Sequence, residues 1–153
     1  MGDPSAAQLH SLLACVAASA DALDPSVVVG HSLGGYLVQR HLEKSPVRRA
    51  VLLASLPPET LDSDDLARVK AELKGAHARA VIDHALPAAP DVTVASTSKT
   101  AMRVIGGSRD RVVPPPWIRG TARRYGVHAD FVDGGHLLMV GKPSNAVARA
   151  IAT

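Results

Sequence analysis

Residues 27–35 read VVVGHSLGG, and the fold follows from how such a stretch has to be built. Val27, Val28 and Val29 form a short β-branched run between Asp24-Pro25 and Gly30. A run of this kind, bounded by turn residues, suits a strand buried on both faces. Gly30 to Gly35 then makes a tight corner, and Tyr36 to Lys44 reads as a helix that Ser45-Pro46 stops. A G-x-S-x-G pattern alone arises by chance in roughly one chain in twenty of this length; the strand before it and the helix after it give it meaning. The corner lifts the Ser32 hydroxyl onto a strand-to-helix turn at the C-terminal end of a sheet, where open α/β sheets bind ligands. Glycines at both ends let the backbone crowd together without a Cβ. The helix start contributes N–H groups and the positive end of its dipole. Ser32 is the candidate nucleophile; the competing reading is a glycine-rich turn with an incidental serine.

Outward from this corner, strands and helices alternate. Upstream, Leu9, Leu12, Leu13 and Val16 form one apolar stripe of a helix over residues 5–20. Downstream, Ala50 to Ala54 is a second buried strand, broken by Pro57-Pro58. Residues 59–100 differ in character. Asp62 to Asp65 is cap-like ahead of a helix over 66–74, a second short helix is expected over 76–86, and 88–100 read as a polar loop. With few large apolar anchors, 59–100 is expected to be the most mobile part of the chain. Met102 to Ile105 is the third strand, ending at Gly106-Gly107, and Pro114-Pro115-Pro116 opens a helix reaching Tyr125. Ala129 to Val132 is the fourth strand, and 144–152 the last helix, with Ser144 as N-cap. About four strands alternating with helices predict an α/β fold with a parallel sheet in a single domain, 1–153, with an insertion near 59–100.

A serine hydroxyl needs a base, and the base needs a group that holds its tautomer. The third strand runs into Ser108-Arg109-Asp110-Arg111, so Asp110 falls just past a strand end on the edge that carries Ser32. The fourth runs into Asp133-Gly134-Gly135-His136, so His136 falls past another. The chain order Ser, Asp, His is the order this architecture uses. Asp110 could instead pair on the surface with Arg109 or Arg111, and His136 could be a loop histidine without a role. Asp133 is a rival acid, ranked lower because it would have to fold back on its own loop. His10, His41 and His77 lie on expected helices, His84 in the insertion and His128 at a strand entrance. His31, inside the corner, is expected to turn its ring away from the nucleophile into the pocket wall.

Composition excludes several classes. The chain has 153 residues, 46% hydrophobic and 20% charged, with a net charge of +3. Its 17 basic residues are interleaved with 14 acidic ones and only four aromatics are present, so no basic stripe with stacking rings exists for nucleic acid. No apolar run approaches the roughly 18 residues of a membrane span. No signal-peptide pattern opens the chain, and Ala6 stands where myristoylation needs Ser or Thr. Cys15 is the single cysteine; it has no internal disulfide partner, and Leu12, Leu13 and Val16 around it suggest a small core residue. The cytoplasm is the expected compartment. No metal-ligand spacing is found, and no metal or organic cofactor is expected.

The segments VVVGHSLGG at 27–35, VLLASLPP at 51–58, RVIGGSRDRVVPP at 103–115 and FVDGGHLLMVGKP at 131–143 resemble the C-terminal part of the α/β-hydrolase fold family, in its esterase-like branch. The resemblance implies Ser32 as nucleophile, Asp110 as acid and His136 as base. It implies the N–H of Leu33 as an oxyanion donor, with His31 beside it in the substrate wall, and residues 59–100 as a short helical cap. The expected activity is hydrolysis of a carboxylic ester or related small acyl substrate through an acyl-enzyme. Perhydrolase and lyase chemistry share the fold, and a truncated non-catalytic protein or subunit is the reading from another class. The family's sheet has further strands before the nucleophile strand and an HG-type loop that supplies a second oxyanion N–H. Only 31 residues precede Ser32 and they contain no such loop. The chain is therefore expected to be truncated at its N-terminus. The strand near 27–30 is then expected to expose an apolar edge that self-associates or takes up a complementing segment.

Overall fold

A computed structural model describes residues 4–58, 62–72 and 99–152. Its elements are α1 (Pro4–Leu23), β1 (Val28–His31), α2 (Leu33–Leu42), β2 (Arg49–Leu53), α3 (Ser63–Glu72), β3 (Ala101–Gly107), α4 (Pro115–Arg124), β4 (Ala129–Val132) and α5 (Ser144–Ala152). The four strands form one parallel sheet in the order β1-β2-β3-β4. The helix expected over 76–86 and most of the loop expected over 88–100 lie outside the described residues.

The strands alternate their side chains between two apolar layers, as the pleat requires. Ala50, Leu52 and Val104 point to one side, where Leu9 of α1, Tyr36 and Leu42 of α2 and Ile118 of α4 cover them. Val51, Leu53 and Ile105 point to the other, where Leu138 of the loop after β4 and Val147 of α5 close the core. Helices on both faces explain why the strands read as continuous apolar runs and not as alternating ones. Every residue of β2 from Ala50 to Leu53 is buried.

Most boundaries shift by a few residues from the sequence reading, and three of the shifts bear on the site. α2 begins at Leu33, not Tyr36, because the corner turns the chain straight into the helix. β3 continues through Gly106 and Gly107, which pair with Phe131 and Val132. α3 starts at Ser63, where the Asp62 carboxylate accepts the N–H of Asp65 at 2.8 Å, an N-cap that fixes the first turn. α3 also buries Leu66 and Val69 in the first core layer. The described start of the insertion is thus anchored in the core, against the expectation of few apolar anchors.

Cys15 is exposed, which corrects its reading as a core residue. The stripe Leu9, Leu12, Leu13 and Val16 packs into the first layer, and Cys15 falls on its flank. There it joins Leu23, Val27, Val29 and His31 in lining a groove of about 450 Å³ between α1, α2 and β1. Among the described residues no strand lies beyond β1, and Val29 is 46% exposed. No helix among the described residues is long and apolar enough to cross a membrane.

Candidate active site

In a parallel sheet all strands finish at one edge, and the chain leaves β1, β3 and β4 at that edge through Ser32, Asp110 and His136. Ser32 sits between β1 and α2 with φ 54° and ψ −120°, a conformation an L-residue adopts only when its surroundings enforce it. The enforcement is visible. Its N–H donates to the Leu53 carbonyl at 3.1 Å, while its own carbonyl accepts the N–H groups of Gly35 and Leu56, both at 3.1 Å. Gly30 makes the corner possible: a Cβ there would lie 2.6 Å from the Gly34 carbonyl oxygen and from the Gly35 Cα. Leu33 is the first residue of α2, where a helix leaves its N–H groups without intrahelical acceptors.

Asp110 lies in the turn after β3 and is 3% exposed. One carboxylate oxygen, Oδ1, accepts the N–H groups of Val112 and Val113 at 2.8 and 2.9 Å. The other, Oδ2, meets His136 Nδ1 at 2.9 Å. His136 is carried by the loop after β4, which packs backbone to backbone on the end of β3. A Cβ on Gly107 would lie 2.5 Å from the Gly135 oxygen and 2.6 Å from that of Gly134. The Gly134 carbonyl accepts the N–H of Arg109 at 2.9 Å, and Leu138 is fully buried below the loop. His136 Nε2 then stands 2.9 Å from Ser32 Oγ.

The partners dictate the protons. A carboxylate only accepts, so His136 Nδ1 carries a hydrogen, and the neutral ring offers Nε2 as an acceptor to the Ser32 hydroxyl. This is the arrangement in which a hydroxyl can lose its proton to a ring held in one tautomer.

The structure brings together the three residues singled out at the strand ends and separates them from their rivals. Arg109 pairs with Asp133 at 2.9 Å, and Arg111 with Glu72 at 2.9 Å, so neither arginine occupies Asp110. Asp133 is an exposed surface carboxylate. His10 and His128 are exposed, and His41 lines the groove over β1.

His31 lines the groove over β1 and also packs on His136. Its ring lies 4.7 Å from that of His136, tilted by 46°, and its Nε2 donates to the His136 carbonyl at 3.0 Å. Burial pushes the His31 imidazole below its ordinary pKa. The bond to the His136 carbonyl and the Asp110 charge pull it up, and a positive charge on His136, when that ring holds a second proton, pushes it down. The sequence carries no signal for this contact, since the residues are 105 positions apart. It also gave no notice of Gln39, buried in α2, whose side chain donates to Ser55 Oγ at 2.9 Å and the Leu56 carbonyl at 3.0 Å. The Tyr125 hydroxyl donates back to it at 3.0 Å. This network ties the helix behind the elbow to the exits of β2 and α4. Among the described residues, no group of three His, Cys, Asp or Glu side chains is arranged to hold a metal ion.

A parallel sheet with a serine, a histidine and an aspartate in contact at its C-terminal edge is the arrangement expected of an α/β hydrolase. Residues 2–96 match the family described as the alpha/beta hydrolase family, and the chain belongs to that family. No curated protein matches the chain in sequence. Among solved structures, Rv0554 from Mycobacterium tuberculosis superposes with a TM-score of 0.71 at 22% identity, over 94% of this chain and 71% of its own. A carboxylesterase of the ammonia-oxidizing thaumarchaeon Nitrososphaera gargenis gives 0.70 at 17% identity, over 94% and 70%. An alpha/beta superfamily protein from Xanthomonas campestris gives 0.60 at 20% identity, over 95% of this chain. The chain spans 65% of the length of the Xanthomonas protein. At these identities the likeness is one of fold: four parallel strands with flanking helices in a partial α/β-hydrolase arrangement.

Proposed function

We propose that the protein is a serine hydrolase that cleaves a carboxylic ester or related small acyl substrate through an acyl-enzyme on Ser32. The observation that carries this reading is the unbroken chain Ser32 Oγ, His136 Nε2, His136 Nδ1, Asp110 Oδ2, with both contacts at 2.9 Å. Ser32 Oγ attacks the carbonyl carbon as its proton passes to His136 Nε2. Asp110 accepts the Nδ1–H throughout and stabilises the imidazolium. The oxyanion forms beside the N–H of Leu33 at the start of α2, a donor fixed before the reaction begins. His136 gives its proton to the leaving alcohol. It then takes one from the water that attacks the acyl-enzyme, and Ser32 is regenerated. The substrate is a small molecule, and neither nucleic acid nor a membrane enters the reaction. A lone cysteine without an internal partner supports a reducing compartment, the cytoplasm.

The test is ester turnover by the intact chain and by Ser32→Ala and His136→Ala. Triad members act as a unit, so each substitution should abolish nearly all activity. A Ser32→Ala protein retaining more than about a tenth of the activity would falsify the assignment, since triad losses span orders of magnitude. Peroxide and a cyanohydrin in the substrate panel separate hydrolysis from perhydrolase and lyase chemistry on the same fold.

A further inference from the structure

Two consecutive residues of the elbow reach two different ends of His136. Ser32 Oγ meets its ring at Nε2, and His31 Nε2 meets its backbone oxygen at 3.0 Å. A carbonyl only accepts, so His31 Nε2 carries the hydrogen of this bond. The same oxygen takes the N–H of Leu138 at 3.1 Å.

The loop that carries His136 is anchored on either side of the histidine, at Gly134 and at Leu138. Gly135, Leu137, Met139 and Val140 are exposed, while Gly134 and Leu138 are buried on either side of the histidine. Between those two points the main chain of His136 is gripped from the elbow by the His31 ring. The strained backbone that aims Ser32 also fixes its neighbour His31, so hydroxyl donor and main-chain anchor form one rigid unit.

We propose that His31 is a positioning residue for His136, its Nε2–H holding the histidine's main chain at a set distance from the Ser32 hydroxyl. This rests on the reading of Ser32 and His136 as nucleophile and base. Asp110 orients the ring about its own axis; His31 prevents the ring from withdrawing with its loop. A misplacement of about 1 Å costs roughly 10²-fold in rate, so a residue with no contact to substrate can govern turnover.

The test compares His31→Leu, His31→Asn and His31→Gln. Glutamine Nε2 is as many bonds from the backbone as histidine Nε2 and can donate to the same carbonyl; asparagine is one bond short and leucine has no donor. The expected result is a fall in kcat of about 10- to 100-fold for leucine and asparagine, with KM little changed, and rescue of most of that loss by glutamine. Amide exchange at Leu138, whose N–H shares the His136 oxygen, reads the anchoring without turnover. It should quicken in the leucine and asparagine variants and stay near the wild-type rate with glutamine. Equal exchange and equal kcat in all variants overturns the positioning role, as does a glutamine variant as defective as leucine. If turnover in the wild type proves independent of Ser32 while exchange follows the predicted order, the reading of Ser32 has failed and the anchor stands.

Discussion

Replacing Asp110 by asparagine exchanges one carboxylate oxygen for an NH2 group, and the structure dictates which one. Oδ1 is held by the N–H groups of Val112 and Val113 at 2.8 and 2.9 Å, so the amide keeps its oxygen there and turns its NH2 toward His136 Nδ1. Two N–H donors cannot face each other. His136 must therefore move its proton to Nε2 and present Nδ1 as the acceptor. Nε2–H then points at Ser32 Oγ and cannot take a proton from it. Flipping the amide to avoid this would set NH2 against two buried N–H groups, at about 1–3 kcal/mol for each bond lost. The expected fall in kcat is as much as roughly 10⁴-fold, the scale known for this exchange in a serine protease triad, or about 5.4 kcal/mol at about 1.36 kcal/mol per tenfold. Thermal stability should change little, because both main-chain bonds survive. The assay is hydrolysis of an activated acetate ester, with Asp133→Asn as the control. Asp133 is exposed and paired with Arg109, so its variant should stay within about twofold of wild type. An Asp110→Asn enzyme keeping a tenth of its activity, or an Asp133→Asn enzyme that loses more, would refute the reasoning.

Three further outcomes follow from the same geometry. Gly30→Ala forces a Cβ to 2.6 Å from main-chain atoms of Gly34 and Gly35 that cannot yield. It should cost about 3 kcal/mol, the top of the overpacking range, lowering Tm by roughly 6–12 °C; a shift under about 2 °C contradicts the elbow packing. Burial holds the His31 pKa below its ordinary value of 6.5, so the native state favours the neutral ring. Its contribution to stability is complete above that value and is lost as pH falls from 6.5 toward the lowered one. Melting curves over this range should show wild type losing more stability on acidification than His31→Gln; parallel losses would exclude the effect. Among the described residues β1 is an edge strand, and its apolar edge should drive self-association of this chain at micromolar concentration, which Val29→Lys should suppress. Sedimentation showing a wild-type monomer would remove the edge as a contact.

Much of this was legible because short β-branched runs between turn residues leave few assignments open, and parallel strands bring their exits to one edge. That is how Asp110 could be preferred to Asp133 without coordinates. The start of α2 is hidden in the sequence because Gly34 and Gly35 are poor helix formers, each about 1 kcal/mol worse than alanine. Packing against Gly30 overrides that preference. The end of β3 is hidden because Gly106-Gly107 resembles a turn, whereas the absent side chain at Gly107 is what admits the His136 loop. Cys15 sat among apolar neighbours in sequence, but the helix turned it to the flank. The His31 bond could not be read at all, since it depends on where two loops 105 residues apart come to rest.

Reaction of the intact chain with a fluorophosphonate tests most directly whether Ser32 is an activated nucleophile. Peptide mass spectrometry should find one adduct, on Ser32. It should be absent in Ser32→Ala and formed orders of magnitude more slowly in His136→Ala. An adduct on another residue with Ser32 unmodified, or labelling of Ser32 at the same rate without His136, would contradict the account.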